Sequence, residues 1–427
     1  MIKQIGNKFL LFNSQTGDWA VCESKEEADV LYQKYQFKFN TNEKYECIKK
    51  RMPVMFTFHI TNKCNLQCKY CYSNCSYNDI HDMPFFVFER TVDLIAKSPA
   101  KKICIDFHGG EPLLCFDFIK KAVQYIEGNL NEKNVTYLIQ TNATLIDKEI
   151  CTFLKKYNFS IGISLDGPQK LHNKFRTFYN GRGSFDLVLE GIAQLREYKI
   201  PFSVIAVVTN YLYLEKCYDF FRSQKIRNVK FIPLIEQGRA KGSLISNDLS
   251  EYGKKEASIF ERMLNEFVTD KEYVFLQSSF YTIRKMLLVD DSYMCMRDPC
   301  GAGIELLSIS ENGDIMPCDS MSGVLNIKAL SLGNVFKIDD FQEIHNKPTW
   351  DLLTRKTIDI IEGCRECIYK SICCGGCKSD VYNTYNSFNY SSPLCSYYKT
   401  LLDEYYRILT LRTQDILSLF FKYNEVN

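Results

Sequence analysis

Six short β-rich segments, Val54 to Ile60, Ile103 to His108, Thr136 to Thr141, Ser160 to Leu165, Phe202 to Thr209 and Val229 to Leu234, alternate with helix-length stretches. In those stretches, such as Phe118 to Ile126 and Phe185 to Leu195, apolar residues recur near every 3.6 positions. Strands alternating with helices imply a parallel sheet, so the expected class is α/β. Six units are too few for a closed eight-stranded barrel, which favours an open partial (β/α)6 barrel. In barrels of this type the reactive groups gather at the C-terminal ends of the strands. Cys64, Gly109, Asn142, Asp166 and Asn210 all fall just past such an end.

The barrel is expected over residues 51–236. Before it, residues 1–50 read as a small unit: a β-hairpin of Phe9 to Phe12 and Trp19 to Cys22 around Ser14-Gln15-Thr16-Gly17, then a helix from Lys25 to Tyr35. After it come a helical linker over 237–294 (Leu249 to Phe267, Phe280 to Leu288), a cysteine-dense region over 295–396, and an amphipathic helix over 397–427, from Tyr397 to Tyr423. No repeat and no low-complexity linker is present.

With 46% apolar and 14% aromatic residues, the 427-residue chain can bury a sizeable core. Lys and Arg total 53 against 51 Asp and Glu, a formal charge of +2, and no long basic run interleaves with aromatics. Nucleic acid is therefore not an expected partner. The apolar run at the start is too short for a signal peptide, and no stretch approaches the ~18 apolar residues of a membrane span. The expected location is the cytoplasm, with no membrane partner. Nineteen cysteines, an odd number, are poorly explained there by disulfides and better by metal binding.

Three of them lie in Thr61-Asn62-Lys63-Cys64-Asn65-Leu66-Gln67-Cys68-Lys69-Tyr70-Cys71-Tyr72, directly after the first barrel strand. A cubane iron–sulfur cluster needs four ligands, so a C-x3-C-x2-C loop offering Cys64, Cys68 and Cys71 leaves one iron free for a small molecule. An open iron means chemistry. The competing reading is a zinc knuckle completed by Cys75, disfavoured because zinc sites normally pair two C-x2-C hooks. The Cys-Asn-Leu-x-Cys-x-Tyr-Cys-Tyr wording resembles the radical S-adenosylmethionine (radical SAM) superfamily, especially its peptide- and protein-modifying branch. The resemblance implies that the free iron binds the amino and carboxylate groups of S-adenosyl-L-methionine. One electron, from a donor such as flavodoxin or ferredoxin, then releases a 5'-deoxyadenosyl radical that takes a hydrogen atom from the substrate.

Gly109-Gly110-Glu111-Pro112 follows the second strand. Two glycines let a backbone approach a ligand closely, and Glu111 supplies an anion where an amino group could dock. The run is similar to the superfamily's GGEP motif, which contacts the methionine amino group. Gln140-Thr141-Asn142 and Ser164-Leu165-Asp166-Gly167 end the next two strands. Their short polar groups, Gln140, Asn142, Ser164 and Asp166, suit ribose hydroxyls or the methionine carboxylate; in isolation Gln140 and Ser164 would read equally well as strand caps. His172-Asn173-Lys174-Phe175-Arg176 is similar to the segment after the fourth strand in this branch, which implies a bidentate pairing of Arg176 with the cofactor carboxylate.

A second cysteine system is C-x12-G-x4-C from Cys300 through Gly313 to Cys318, then Cys364-x2-Cys367-x5-Cys373-x3-Cys377, with Cys395 beyond. This ordered set resembles the SPASM domain of radical SAM enzymes that modify peptides and proteins. The resemblance implies two auxiliary four-iron clusters, hence three [4Fe-4S] clusters in all. The first would take Cys300, Cys318 and Cys377, with Cys295 as the candidate fourth ligand, and the second Cys364, Cys367, Cys373 and Cys395. Two zinc ribbons are the alternative, but C-x5-C-x3-C is awkward for a zinc hook. Of the remaining cysteines most read as buried small hydrophobes.

Asp319 directly follows Cys318. In sulfatase-maturing relatives an acid there resembles the general base that deprotonates the substrate side chain; an Asp after a loop cysteine can equally accept backbone hydrogen bonds. The expected function is that of a radical SAM/SPASM oxidoreductase installing a cross-link, a thioether before an ether or carbon–carbon bond, in a ribosomally made precursor peptide. The rivals are an anaerobic sulfatase-maturing enzyme, oxidising Ser or Cys to formylglycine, and a non-catalytic iron–sulfur or zinc scaffold. Residues 1–50 resemble in outline part of the winged-helix module with which peptide maturases grip leader peptides.

Overall fold

A computed structural model describes residues 2–13, 17–34, 51–73, 75, 80–242, 248–288, 293–322, 327–354 and 358–426. Ser14, Gln15, Thr16, Tyr35 and Cys47 lie outside the described residues. Three strands, β1 (Ile2–Ile5), β2 (Lys8–Phe12) and β3 (Trp19–Cys22), form an antiparallel sheet in that order, followed by a helix Lys25–Lys34. The expected hairpin is thus present and gains a third strand, β1.

The barrel strands are β4 (Met55–Thr61), β5 (Lys102–Gly109), β6 (Asn134–Thr141), β7 (Ser160–Ser164), β8 (Phe202–Val208) and β9 (Asn228–Pro233). Each pairs in parallel with the next in chain order. Winding that never reverses direction curls the sheet around a lumen; a doubly wound sheet would reverse at a switch point. This is the partial (β/α)6 barrel. Period-two alternation assigns the two faces. Phe56, Phe58, Ile60, Ile103, Ile105 and Phe107 are almost fully buried and meet the helices outside, Phe58 lying 4.8 Å from Phe88 of helix Phe85–Lys97. Each such side chain contributes about 1.5–3 kcal/mol. The intervening positions carry Thr57, His59, Asp106 and His108, joined across the strands by a Thr57 to Asp106 hydrogen bond of 3.2 Å and by His59 and His108 rings 5.4 Å apart. The lumen is therefore polar.

The sheet is wider than six strands. At one edge β10 (Phe275–Leu276) joins β9, and at the other β11 (Leu306–Ile309) pairs in parallel with β4, followed by antiparallel β12 (Asp314–Met316) and β13 (Gly333–Asn334). An open barrel leaves bare edges whose unpaired N–H and C=O groups must be covered. Here the cysteine-dense region supplies the cover. Because Leu306–Ile309 lies against Met55–Phe58, the turn after β12 brings Cys318 and Asp319 over the ends of β4 and β5.

The expected C-terminal helix is broken into Cys395–Leu411 and Thr413–Val426, with Arg412 at the break held to Asp415 at 2.8 Å. Helix Cys395–Leu411 packs on helix Leu249–Val268 through Phe260 and Tyr405, whose rings are 5.5 Å apart, and the Tyr397 hydroxyl donates to Glu256 at 2.8 Å. The N-terminal sheet docks on the same helix, Phe12 standing 4.9 Å from Tyr406 and Lys3 pairing with Asp403. Among the described residues no helix is long and apolar enough to cross a membrane.

Burial pushes the Glu256 carboxyl up to about 7, partly offset by the Tyr397 hydrogen bond. An acid whose folded pKa is raised stabilises the fold only while protonated, so Glu256 costs nothing below the unfolded value near 4.5 and progressively more between that and about 7. Glu256→Gln keeps the acceptor for Tyr397 and removes the ionisation. It is expected to leave thermal stability at pH 4.5 unchanged and to raise it at pH 8, by up to about 3 kcal/mol, checked by paired melting curves at the two pH values.

Candidate active site

The loop after β4 carries Cys64, Cys68 and Cys71. Cys64 and Cys68 are buried with Leu66 and Cys75, and Cys71 packs against them. Ser73 bridges the last two thiols, 3.4 Å from Cys71 Sγ and 2.9 Å from Cys75 Sγ. Gly109 and Gly110 press against this loop from β5: Gly110 N–H donates to Thr61 O and Glu111 N–H to Lys63 O, both at 2.8 Å. A Cβ on Gly110 would stand 2.0 Å from Lys63 O, and one on Gly109, at φ +126°, 2.1 Å from Thr61 O. The glycines are thus required for backbone to meet backbone. The Glu111 carboxylate, read from the sequence as a dock for an amino group, is also held in place from within the protein. It accepts from Thr141 Oγ1 at 2.7 Å, Leu113 N–H at 3.1 Å and Asn142 N–H at 2.7 Å, pinning β6 to the cysteine loop. A buried carboxylate at three such donors braces the strand ends, and Oε2, which accepts from one of them, keeps a lone pair for a further donor.

Asn142 continues the brace, its Nδ2 donating to Asn65 Oδ1 of the cysteine loop at 2.8 Å. Gln140 Nε2 donates to Ser164 Oγ at 3.2 Å across Gly162, where a Cβ would stand 2.1 Å from Gln140 Oε1. Asp166 accepts from Arg176 Nε and from Val207 N–H, each at 3.1 Å, and from the Tyr70 hydroxyl. Arg176 Nη1 points to Cys68 Sγ at 3.9 Å. The structure therefore sets Asn142, Asp166 and Arg176 against the three-thiol loop, through Asn65, Tyr70 and Cys68, with the Arg176 Nε already held by Asp166, while Gln140 and Ser164 bond to each other on the adjacent strands β6 and β7.

Asp319 lies at the lumen mouth. The Tyr72 hydroxyl is 2.9 Å from both of its oxygens, His59 Nε2 is 3.1 Å and His108 Nδ1 3.5 Å from Oδ1. The His59 nitrogen lies off the line of a hydrogen bond and stays buried without a hydrogen-bond partner. Burial alone would raise the Asp319 carboxyl; the charge on His108, then His59 and the Tyr72 hydroxyl outweigh it and hold the group well below the usual carboxylate range. Burial lowers His108, but Asp319 and Asp106 more than restore it, leaving it raised. Asp319 is thus an anion kept in a partly dry site. Tyr72, His59 and His108 escaped the sequence reading. Their signal was polar residues at alternate positions of otherwise apolar strands, and a tyrosine directly after the third loop cysteine.

The auxiliary cysteines form two groups. Cys364, Cys367, Cys373 and Cys395 line one pocket together with Tyr398 and Lys399. Burial is the largest effect raising the thiols of Cys300, Cys318 and Cys377, and the neighbouring cysteines add to it: Cys295 acts on all three, Cys300 on Cys318, and Cys318 on Cys377; Cys295 itself is exposed. Cys374, next to Cys373, lies outside both sets, its Sγ 2.9 Å from Lys285 Nζ. No disulfide joins the described cysteines.

Residues 58–221 match the model of the radical SAM superfamily, and residues 300–368 that of an iron–sulfur cluster-binding domain, SPASM. A cysteine-type anaerobic sulfatase-maturating enzyme of Clostridium novyi is 25% identical over 81% of this chain and 92% of its own length. An uncharacterized protein of Methanocaldococcus jannaschii is 31% identical over 65% of this chain and 89% of its own length, and a serine-type sulfatase-maturating enzyme of Bacteroides thetaiotaomicron is 27% identical over 75% and 81%. Among solved structures, native anSMEcpe with bound AdoMet superposes with a TM-score of 0.74 at 22% identity, over 88% of this chain and all of that one. Streptococcus suis SuiB bound to precursor peptide SuiA gives 0.59 at 18%, over 92% and 98%. Both share the fold.

The thiols fit iron–sulfur clusters. Burial is the largest effect raising Cys64, Cys318, Cys373 and Cys377, so thiolates grouped this way need a cationic centre to become tenable. The braced strand ends around the loop supply the polar groups a zwitterionic nucleoside cofactor requires. On the family match, the barrel and the cysteine sets together, the chain belongs to the radical SAM superfamily and carries a C-terminal SPASM iron–sulfur domain.

Proposed function

We propose that the chain is a peptide maturase that oxidises a side chain of a ribosomally made precursor by two electrons, closing a thioether from a cysteine sulfur to a carbon. The observation that carries this is Asp319, a half-buried anion at the lumen mouth beside Cys318, fixed by Tyr72. Cys64, Cys68 and Cys71 would hold the cluster that binds S-adenosyl-L-methionine, which when bound would supply hydrogen-atom abstraction, and the eight SPASM-region thiols would hold two auxiliary clusters able to take up one electron. The chain's own residues do the rest. Gly109, Gly110, Glu111 and Asn142 hold the loop; Arg176, with Asp166 orienting it, offers a guanidinium edge for the cofactor carboxylate. Asp319 receives the thiol proton while Tyr72 keeps its oxygens in place. Carbon loses a hydrogen atom, sulfur loses a proton, one electron leaves, and a carbon–sulfur bond forms.

The sulfatase-maturating relatives favour a second reading, in which the same base and sink serve formylglycine formation. Both need a deprotonated heteroatom. A non-catalytic scaffold has no use for Asp319 held charged against three polar neighbours. Under this proposal the N-terminal sheet grips the leader as an added strand, and a flavodoxin or ferredoxin donates the reducing electron.

Two measurements check it. The anaerobically purified chain is expected to hold about twelve irons as three four-iron clusters; stoichiometric zinc with a single cubane would overturn the auxiliary assignment. Incubation with the short peptide encoded beside the gene, followed by mass spectrometry, is expected to show loss of two hydrogens per site and a cysteine that no longer alkylates. An aldehyde at a lone cysteine or serine selects the sulfatase reading, and the same mass loss with free thiols indicates a bond without sulfur.

A further inference from the structure

The first and last barrel strands are not neighbours in the sheet, yet the loops that leave them are bound together. After β9 the chain makes a tight turn, Gly238–Ala240, directly beneath the cysteine loop. Gly238 has φ +55°, and a Cβ there would stand 2.3 Å from Cys71 O and 2.5 Å from Tyr72 O. Such contact with backbone admits no other residue. Arg239 then spends three donors on three carbonyls of the loop: its N–H reaches Cys71 O at 3.0 Å, Nε reaches Cys68 O at 2.7 Å, and Nη1 reaches Cys75 O at 2.8 Å.

A loop outside regular secondary structure must find donors for its carbonyls elsewhere. The rigid fork of a guanidinium can serve two diverging carbonyls at fixed geometry; a lysine ammonium is a single point. The turn is held in its own right from the auxiliary region. Asn383 Nδ2 donates to Gln237 Oε1 at 3.0 Å, from a helix, Lys378–Tyr385, that begins directly after Cys377. On that helix Ser379 Oγ donates at 2.9 Å to the carbonyl of Ser320, the neighbour of Asp319.

We infer that Arg239 is the positioning residue of the three-thiol loop, and that Gln237-Gly238-Arg239 is a latch through which the auxiliary-cluster region, by way of Asn383, holds that loop closed over the barrel mouth. The consequence is mechanical coupling. Disturbing the helix after Cys377 loosens the loop of Cys64, Cys68 and Cys71, although no thiol is shared between them. The inference rests on the proposed cluster assignment only for its second readout, and on no assumption about the peptide.

The test uses the full chain, before and after anaerobic cluster reconstitution. In the metal-free chain, Arg239→Met is expected to raise amide hydrogen exchange in the loop 62–73 at least tenfold while β5 to β8 keep wild-type protection. Arg239→Lys should recover part of the protection. Asn383→Ala, which touches only the far arm of the latch, should raise exchange at 237–240 and, to a lesser degree, in the loop, whereas Lys241→Met, an exposed neighbour, should change nothing. In the reconstituted chain, Arg239→Met should make the reduction potential of the first cluster more negative, since a cation beside Cys68 is gone, with the auxiliary potentials unmoved. Wild-type loop exchange in Arg239→Met, or loosening spread evenly over the barrel, overturns the inference. Should Arg239→Met fail to fold, Asn383→Ala decides: a loop as protected as wild type refutes the latch.

Discussion

Replacing Cys64, Cys68 and Cys71 together by alanine is expected to abolish formation of 5'-deoxyadenosine under dithionite and to lower bound iron by about four per chain. The two readouts have separate causes. Iron falls because the loop retains no thiolate of the three; cofactor cleavage falls because these are the thiols at the strand ends where Gly110, Glu111, Asn142 and Arg176 converge. The auxiliary sets lie on other loops and should keep their iron. Cys75→Ala is the companion experiment. Cys75 shares the pocket and reaches Cys71 through Ser73, so its thiol is the one that a four-thiolate scaffold would use. If three thiols make the cluster, Cys75→Ala keeps about the full iron and cleaves the cofactor. Iron and cleavage lost together in Cys75→Ala would mean a closed four-thiolate site and overturn the assignment, as would a triple variant that still cleaves the cofactor.

What could be read from the sequence divides along a physical line. The six barrel strands were legible because each is an apolar run bounded by helices of clear 3.6 periodicity, and their order needed no more than sequential winding. The grouping of the three loop thiols and of the auxiliary thiols could be anticipated because their spacing is written along the chain. β11 was not, since Leu306–Ile309 is a four-residue segment whose strand character comes from covering the edge of β4, a fact of tertiary structure. The bracing around Glu111 was not legible either. Its type and place after β5 are plain in the sequence, but nothing local shows that Thr141 and Asn142 will donate to its oxygens. Arg239 lay beyond reach for the same reason: its partners, Cys68 and Cys75, are 171 and 164 residues away. Thiol spacing is local in the chain, whereas the bracing of the site depends on which loops the fold brings together.

Asp319→Asn is expected to reduce product formation by about 10²–10⁴-fold, the range of a positioned acid–base group, while substrate-free cofactor cleavage stays within about twofold of wild type. Asparagine is nearly isosteric and still accepts from Tyr72, so the geometry of the Cys318 turn should survive; what is lost is the negative charge that His59 and His108 hold at the lumen mouth. The separation of the two activities follows from position. Among the described residues Asp319 forms no hydrogen bond with Cys64, Cys68, Cys71 or Arg176, and it meets the three-thiol loop through Tyr72. Tyr72→Phe, which keeps the ring and removes the donor, should fall between the variant and wild type, because the carboxylate loses its orientation but not its charge. Loss of auxiliary iron in Asp319→Asn would show a structural part in the Cys318 turn, and product formed at the wild-type rate would reduce Asp319 to an acceptor for Tyr72. The expected pattern, full iron with cofactor cleaved and peptide unchanged, separates a base from a brace.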